Sequence, residues 1–254
     1  RWVPFPVVIR PPSQYNYSMK ELVSEFKALS GINLSEKQLN AMQVYADELS
    51  KWNQRYSLTA IDDPEKVRVK HFLDSLSAYL ALRDTTMRRV VDVGTGAGFP
   101  GLALKILCPQ IKLTLVESIL KKVEFCQHIV ETLALEGVEI VRKRVEVVGK
   151  DDAFREQFDW AIARAVALMP ILMEYLLPLV RVGGGVLAMK GETGPAEAHS
   201  AEGAIDMLGG HLQRLIPVTL PGVVEERYLV VVEKVAATPD KYPRRVGIPA
   251  KRPL

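Results

Sequence analysis

Two cysteines in 254 residues, Cys108 and Cys126, are too few and too isolated for a zinc motif or a disulfide framework. Both lie in apolar helical surroundings, which points to buried thiols in a reducing compartment. No uninterrupted apolar run approaches the length that spans a bilayer, so no membrane partner is expected. The opening Arg1-Trp2-Val3-Pro4-Phe5-Pro6 lacks an initiator Met and is too proline-broken for a secretory signal. A processed targeting segment ahead of it stays open; without one, a cytoplasmic protein is expected. The four histidines show no metal-ligand spacing, and no acid follows Asp240. What is present is an ordinary globular composition with a formal net charge of +3, which tolerates a polyanionic partner without demanding one.

The chain divides by pattern into three parts. Residues 1–14 hold four prolines and read as an irregular arm. Up to residue 85 the spacing is helical. Leu22, Phe26 and Leu29 recur on one face, and Gly31 ends that run. Ser35 with Gln38 forms a capping box, and Leu39, Met42, Val44, Tyr45 and Leu49 make the next stripe. Asp63-Pro64 starts a third helix carrying Val67, Val69, Phe72, Leu73, Leu76 and Leu80. Residues 86–240 then alternate strands and helices. Strands are predicted at Val90–Val93, Leu113–Val116, Val138–Val141, Phe158–Ala163, Gly185–Met189, Gln213–Leu220 and Tyr228–Val235. Helices are predicted at Leu102–Leu107, Ile119–Leu133, Leu168–Val180 and over 196–209. This is an α/β fold with a mostly parallel sheet, and the last two strands form an antiparallel addition at one edge. Residues 241–254 are a basic, proline-rich tail.

The strongest local signal is Val91-Asp92-Val93-Gly94-Thr95-Gly96-Ala97-Gly98-Phe99-Pro100-Gly101, between a buried strand and a helix. Gly94, Gly96 and Gly98 permit a sharp turn and close ligand approach at the carboxyl end of a parallel strand. Glu117, just past the second strand, has the acceptors to take both hydroxyls of a ribose. A nucleoside cofactor is expected; the plain alternative is a tight structural turn. The residues leave two cofactors open. A nicotinamide dinucleotide presents a pyrophosphate to such a loop, whereas S-adenosylmethionine presents a methionyl carboxylate and ammonium. Asp92, the bulky Phe99-Pro100 and the two late strands favour the second.

The sequence resembles the bacterial family called glucose-inhibited division protein B, which makes N7-methylguanosine in 16S small-subunit ribosomal RNA. The resemblance is carried by Trp52-Asn53, Leu58-Thr59-Ala60-Ile61, His71-Phe72-Leu73-Asp74-Ser75-Leu76 and the glycine loop through Gly101. It continues in Leu115-Val116-Glu117-Ser118, Lys121-Lys122, Arg144-Val145-Glu146, Ala163-Arg164-Ala165, Lys190-Gly191 and Tyr242-Pro243-Arg244-Arg245-Val246-Gly247-Ile248-Pro249. The closing Lys251-Arg252-Pro253-Leu254 matches too and implies a complete C-terminus. Two positions depart from the pattern: Ser57 stands where the family has Asn, and Lys143-Arg144-Val145-Glu146 replaces Gly-Arg-Ala-Glu.

The resemblance implies a class I S-adenosylmethionine-dependent methyltransferase with a Rossmann-like, seven-stranded sheet and an N-terminal helical extension. It acts on small-subunit ribosomal RNA or a ribosomal particle, and a monomer is expected. The cofactor residues it implies are Gly94, Gly96, Gly98, Phe99, Glu117, Val145, Glu146 and Arg164, with Val145 and Glu146 at the adenine. The RNA candidates are Arg144, Arg164, Lys190, Arg244 and Arg245. Each has a plainer reading: core packing for Phe99, solvent surface for Glu146 and Arg144, a structural salt bridge for Arg164. His71 and Asp74 read as contacts at the domain junction, as do Trp52 and Asn53. No residue is assigned a catalytic role and no metal is implied. Guanine N7 carries a lone pair and no hydrogen, so in-line attack needs alignment and electrostatics rather than a base. The alternatives are a methyltransferase of transfer RNA or a small molecule, a NAD-dependent oxidoreductase, and a non-catalytic RNA-binding factor. The tail, stiffened by Pro243, Pro249 and Pro253, is expected to pack on the catalytic domain and offer Arg244 and Arg245 to RNA, with little effect on the cofactor.

Overall fold

The computed structural model describes residues 19–254; the proline-rich arm of residues 1–14 lies outside them. The N-terminal part is helical. Helix α1 (Lys20–Ser30) ends at Gly31, whose φ of 77° lets its N–H return to the Lys27 carbonyl. Helix α2 (Glu36–Tyr56) starts with the capping box foreseen from sequence: Ser35 Oγ accepts from Gln38 N–H, and Gln38 Oε1 accepts from Ser35 N–H. The Gln38 amide also donates to the Leu107 carbonyl at 2.9 Å, so one cap also joins two parts of the chain. Met42, Tyr45, Ala46 and Leu49 form the buried stripe of α2. Val44, expected in that stripe, is exposed, because helical rotation turns it away from Met42 and Tyr45.

The third helical run is not uniform. It opens as α3 (Pro64–Lys66), capped by Asp63. It widens to i→i+5 bonding over Val67–Leu73 and continues as α4 (Asp74–Ser77) and α5 (Tyr79–Leu82). Such a widened turn is uncommon and tends to occur where function bends a helix.

Seven strands follow: β1 (Arg89–Val93), β2 (Lys112–Val116), β3 (Val138–Val141), β4 (Phe158–Arg164), β5 (Val180–Lys190), β6 (Gly210–Val218) and β7 (Arg227–Lys234). They form one sheet in the order β3-β2-β1-β4-β5-β7-β6. The first five are parallel, and β7 runs antiparallel to both β5 and β6, as the late strands foreshadowed. Alongside lie α6 (Gly101–Leu107), α7 (Leu120–Thr132), α8 (Val145–Val148), α9 (Met169–Leu176), α10 (Gly194–Ser200), α11 (Glu202–Met207) and α12 (Ile248–Lys251). The single helix expected over 196–209 is two, and the one expected over Leu168–Val180 stops at Leu176, before Pro178.

Both faces of the sheet are covered, which accounts for its unbroken apolar strands. On one face Phe26, Tyr45, Phe72, Leu102 and Phe125 join a single cluster, so the N-terminal helices share their core with the sheet. On the other, Val91, Ala161, Met173, Val186 and Tyr242 meet, which brings the tail into the second core. Among the described residues no helix is long and apolar enough to cross a membrane.

Two buried charges fasten the margins. Asp159 accepts from the N–H groups of Arg88 and Arg89, each at 2.8 Å, and from Arg181. Lys234, wholly inaccessible, donates to the Leu177 carbonyl and to the Thr238 hydroxyl and lies 3.3 Å from Glu156.

Gly185 faces Trp160 across β4 and β5, and a Cβ there would lie 2.6 Å from the indole ring. Gly203 in α11 has nothing within 4 Å of that position. Gly185→Ala is therefore expected to lower the unfolding free energy by about 1–3 kcal/mol through overpacking. Gly203→Ala is expected to raise it by about 0.5–1 kcal/mol through helix propensity. Urea titrations of the two variants check both signs.

Candidate cofactor and substrate site

The glycine loop is bonded to itself and to its neighbours. Gly94 N–H donates to the Val116 carbonyl at 2.8 Å, and Gly98 and Phe99 N–H both donate to the Thr95 carbonyl. Gly96 N–H donates to Glu117 Oε2 at 3.1 Å, and Gly101 N–H to Asp92 Oδ2 at 2.8 Å. Gly94, at φ 66°, passes so close to Val166 that a Cβ would sit 2.7 Å from its methyl group. With Thr95 N–H also directed at the Val116 carbonyl, six loop N–H groups are engaged, and two carboxylates stand at the foot of the loop. A pyrophosphate would meet acids instead of free donors, which argues against a dinucleotide.

The acids themselves suit a different ligand. Glu117 is 7% exposed and held by three backbone N–H groups: Gly96 on Oε2, Ser118 and Ile119 on Oε1. Each oxygen can accept again, so the fixed carboxylate retains capacity for a ribose diol. Asp92 is fully buried. Its Oδ2 accepts from Thr95 and Gly101, while Oδ1 has no partner among the described residues. A buried carboxylate oxygen without a donor is costly unless a ligand supplies one. A cationic ammonium supplies both donor and charge, so Asp92 and Glu117 together fit S-adenosylmethionine.

Gly94, Glu117, Arg144, Val145, Glu146 and Val166 line one cavity of about 100 Å³. Four of the expected cofactor residues, Gly94, Glu117, Val145 and Glu146, meet there. Val145 is the first residue of α8, where an N–H has no intrahelical acceptor. Glu146 is buried and its Oε1 accepts from Gly247 N–H at 3.0 Å. Gly96 and Gly98 shape the loop outside this lining. Phe99 is 5% exposed and held between Tyr45 (4.9 Å, 2°) and His71 (4.9 Å, 12°). The Tyr45 hydroxyl donates to the Ala97 carbonyl, binding the loop to α2.

Arg164 lies apart from that lining, in a second cavity of about 360 Å³ with His71, Asp74, Lys190, Glu197 and Arg227. Its Nη1 pairs with Asp74 Oδ2 at 2.8 Å and donates to the Lys70 carbonyl at 3.1 Å. The widened turn over Val67–Leu73 presents that carbonyl. The guanidinium also lies 5.6 Å over the Phe99 ring. Ala165, next in the chain, is held at φ 55°, a strained position for a side chain that aims Arg164 sideways. His71 is pulled down to about 3 by burial and by Arg164, so it is neutral at working pH. Its Nε2 lies 3.0 Å from Thr59 Oγ1. Lys190 pairs with Glu197 at 2.5 Å and donates to the Ala167 carbonyl.

The tail behaves differently from a free cationic strip. Arg244 donates from both its backbone and its guanidinium to Glu174, a fully buried carboxylate. Arg245 is exposed. Sequence reasoning gave Tyr45 only to the core and left Arg227 without a role, and it took His71 and Asp74 for junction contacts. The signal for Asp74 was a carboxylate on the buried face of a helix, which needs a cation opposite. Ser57 takes φ 47° at the end of α2, a conformation Asn adopts more readily, so that departure affects a helix stop and not the site.

The GidB family profile, described as rRNA small subunit methyltransferase G, matches residues 38–221. Ribosomal RNA small subunit methyltransferase G of Roseiflexus castenholzii is 51% identical over 224 residues, 88% of this chain and 95% of its own. The protein of that name from Chloroflexus aggregans is 46% identical over 237 residues, 92% and 98%. Among solved structures, a putative O-methyltransferase from Klebsiella pneumoniae superposes with a TM-score of 0.56 at 12% identity, covering 86% of this chain and 100% of that one. A SAM dependent methyltransferase from Aquifex aeolicus gives 0.50 at 16%, covering 69% and 96%. These two likenesses show the fold.

Burial raises Asp92 to about 6, against the lowering effect of its two hydrogen bonds. Raised above its unfolded value, it binds a proton more tightly in the folded apo protein, so its contribution to stability is present at low pH and lost as pH rises through about 6. A cation at Oδ1 favours the ionised form, so binding expels that proton. The affinity for S-adenosylhomocysteine, which keeps the ammonium, is expected to fall from about pH 7 to about pH 5. Asp92→Asn should bind weakly and without that pH dependence. Calorimetry in buffers of different ionisation enthalpy reads the proton; a flat profile in the unmodified protein contradicts the assignment.

Proposed function

The chain belongs to the GidB family of small-subunit ribosomal RNA methyltransferases, and on that premise we propose how its residues divide the work of methylating N7 of a guanine in 16S ribosomal RNA. The observation that carries the reading is the position of the two cavities. Residues from the carboxyl ends of β1, β2 and β3 line the first, and residues from the carboxyl ends of β4 and β5 line the second. In the first, Glu117 holds the ribose and Glu146 and the Val145 N–H meet the adenine; Asp92, buried outside that lining, offers its charge and free Oδ1 to the ammonium. The second receives the guanosine.

When bound, S-adenosylmethionine supplies a methyl group on a positively charged sulfur. N7 attack would form the N–CH3 bond as the C–S bond breaks, releasing neutral S-adenosylhomocysteine and leaving the positive charge on the purine, so side chains at the base would serve best by not opposing it. Arg164 is neutralised by Asp74, Lys190 by Glu197, and His71 is held neutral. Arg164 and Lys190 can therefore donate to the base oxygen with their own charges compensated beside the developing cation. No general base is required, and none is assigned. A guanosine must leave its stack to enter the second cavity.

Residues 19–85 serve as the helical cover, 86–240 as the catalytic body and 241–254 as a brace. Arg244, through Glu174, fixes the tail, and Gly247 then fixes Glu146. Arg244 is a positioning residue on this reading, and Arg245 and Arg144 are the outward cations for RNA.

Incubation with 16S ribosomal RNA and labelled cofactor, followed by nucleoside mass spectrometry, is expected to give 7-methylguanosine; a different base or RNA class overturns the reading. Asp74→Asn should lower kcat by about tenfold or more, since it leaves Arg164 unneutralised beside the developing charge. Arg244→Ala should weaken S-adenosylhomocysteine binding by about tenfold, and Arg245→Ala should leave it unchanged while flattening the salt dependence of RNA binding.

A further inference from the structure

Four cations line the 360 Å³ cavity, and their pairing is unequal. Arg164 and Lys190 each contact a carboxylate, at 2.8 and 2.5 Å. Lys70 lies 3.8 Å from Glu225, whose side chain is 53% exposed, a loose pairing that solvent screens. Arg227 makes no ion pair within 4 Å among the described residues and shares only the field of the exposed Glu225 with Lys70, and its Nε is buried without an acceptor. Leaving a buried charged donor unsatisfied is among the costlier arrangements a fold can hold. Arg227 opens β7 beside the end of β5, where Lys190 pairs with Tyr228. Gly191 lies alongside it: a Cβ at that residue would sit 3.4 Å from Arg227 Nη1, an ordinary contact.

We propose that Arg227, with Lys70 beside it, is the anchor for a phosphate of the nucleotide drawn into this cavity. The proposal rests on the RNA-methylating reading and adds the part of the substrate that reading leaves unheld. A guanidinium is a planar fork that takes two phosphate oxygens at once, and a phosphate supplies both acceptors and compensating charge. The division of labour follows from the pairing. Arg164 and Lys190, already neutralised, can stand beside the base without opposing its developing charge. Arg227, without a carboxylate in contact, binds the anion. Ile61, Met189 and Leu229 give the same cavity an apolar surface for the base. The size of the cavity suits one nucleotide and no more, at the low end of small-ligand sites.

Salt-series binding of 16S ribosomal RNA by the unmodified protein, Arg227→Gln and Arg227→Lys tests this, with S-adenosylhomocysteine calorimetry and a melting curve on each. Arg227→Gln is expected to bind RNA about tenfold more weakly and with a salt slope smaller by about one, at unchanged S-adenosylhomocysteine affinity. Arg227→Lys should recover the slope but not the affinity, because it keeps the charge and loses the fork. RNA binding like that of the unmodified protein in both variants overturns the proposal, and so does a parallel loss of S-adenosylhomocysteine affinity. If Arg227→Gln does not melt cooperatively, Arg227→Lys alone decides by the same criterion. Failure of the unmodified protein to bind 16S ribosomal RNA, or to methylate it, would instead bring down the reading beneath.

Discussion

The site depends on one ion pair. Arg164 stands at the carboxyl end of a strand buried on both faces, a place where an unpaired guanidinium would be untenable. Asp74 reaches it from the N-terminal helices at 2.8 Å, and the backbone carbonyl of Lys70 adds a second acceptor. Breaking such a pair by removing one partner typically costs about 3–5 kcal/mol, since the other charge stays buried. The pair also orders its surroundings. It fixes the helical cover against the sheet, reinforces the neutrality that burial imposes on His71, and lays a cation across the Phe99 ring. Through Phe99 and Tyr45 the constraint reaches the glycine loop. Cover, loop and substrate cavity are therefore one mechanical unit.

A second constraint decides which ligand the loop can accept. A glycine-rich turn at a strand end is ambiguous, because it serves both phosphates and zwitterions. Here its N–H groups are turned inward to Val116, Thr95, Asp92 and Glu117. The same bonds pre-position the two acids, so the features that exclude a diphosphate also build the place for an ammonium and a diol. Rejection and recognition come from one set of hydrogen bonds.

Much of this was legible in the sequence, for local reasons. The alternation of strands and helices, the capping box at Ser35 and the stop at Gly31 depend on neighbours within a few residues. So does the placement of Glu117 after its strand. What stayed hidden depends on distant partners. Arg244 sits in a run that reads as a solvated basic strip, and only Glu174, 70 residues away, shows that it is a brace. Arg227 acquires meaning only from the antiparallel placement of β7 beside β5, which sets it next to Lys190 and Gly191. Val44 fits an apolar count and fails the helical angle. The widened turn at Val67–Leu73 has no signature in apolar spacing, since the same residues would serve an ordinary helix.

The bond from Gly247 to Glu146 closes a span of 101 residues. In the time domain this matters. Contacts within the helical cover and between adjacent strands can form early, because short loops lose little entropy on closing. The Glu146 wall of the first cavity joins segments so far apart that loop entropy favours its closing after the sheet between them exists. By that entropy argument the cavity wall belongs to the late part of folding, and a chain that has built its core but not yet seated its tail would lack the Gly247 bond that steadies Glu146.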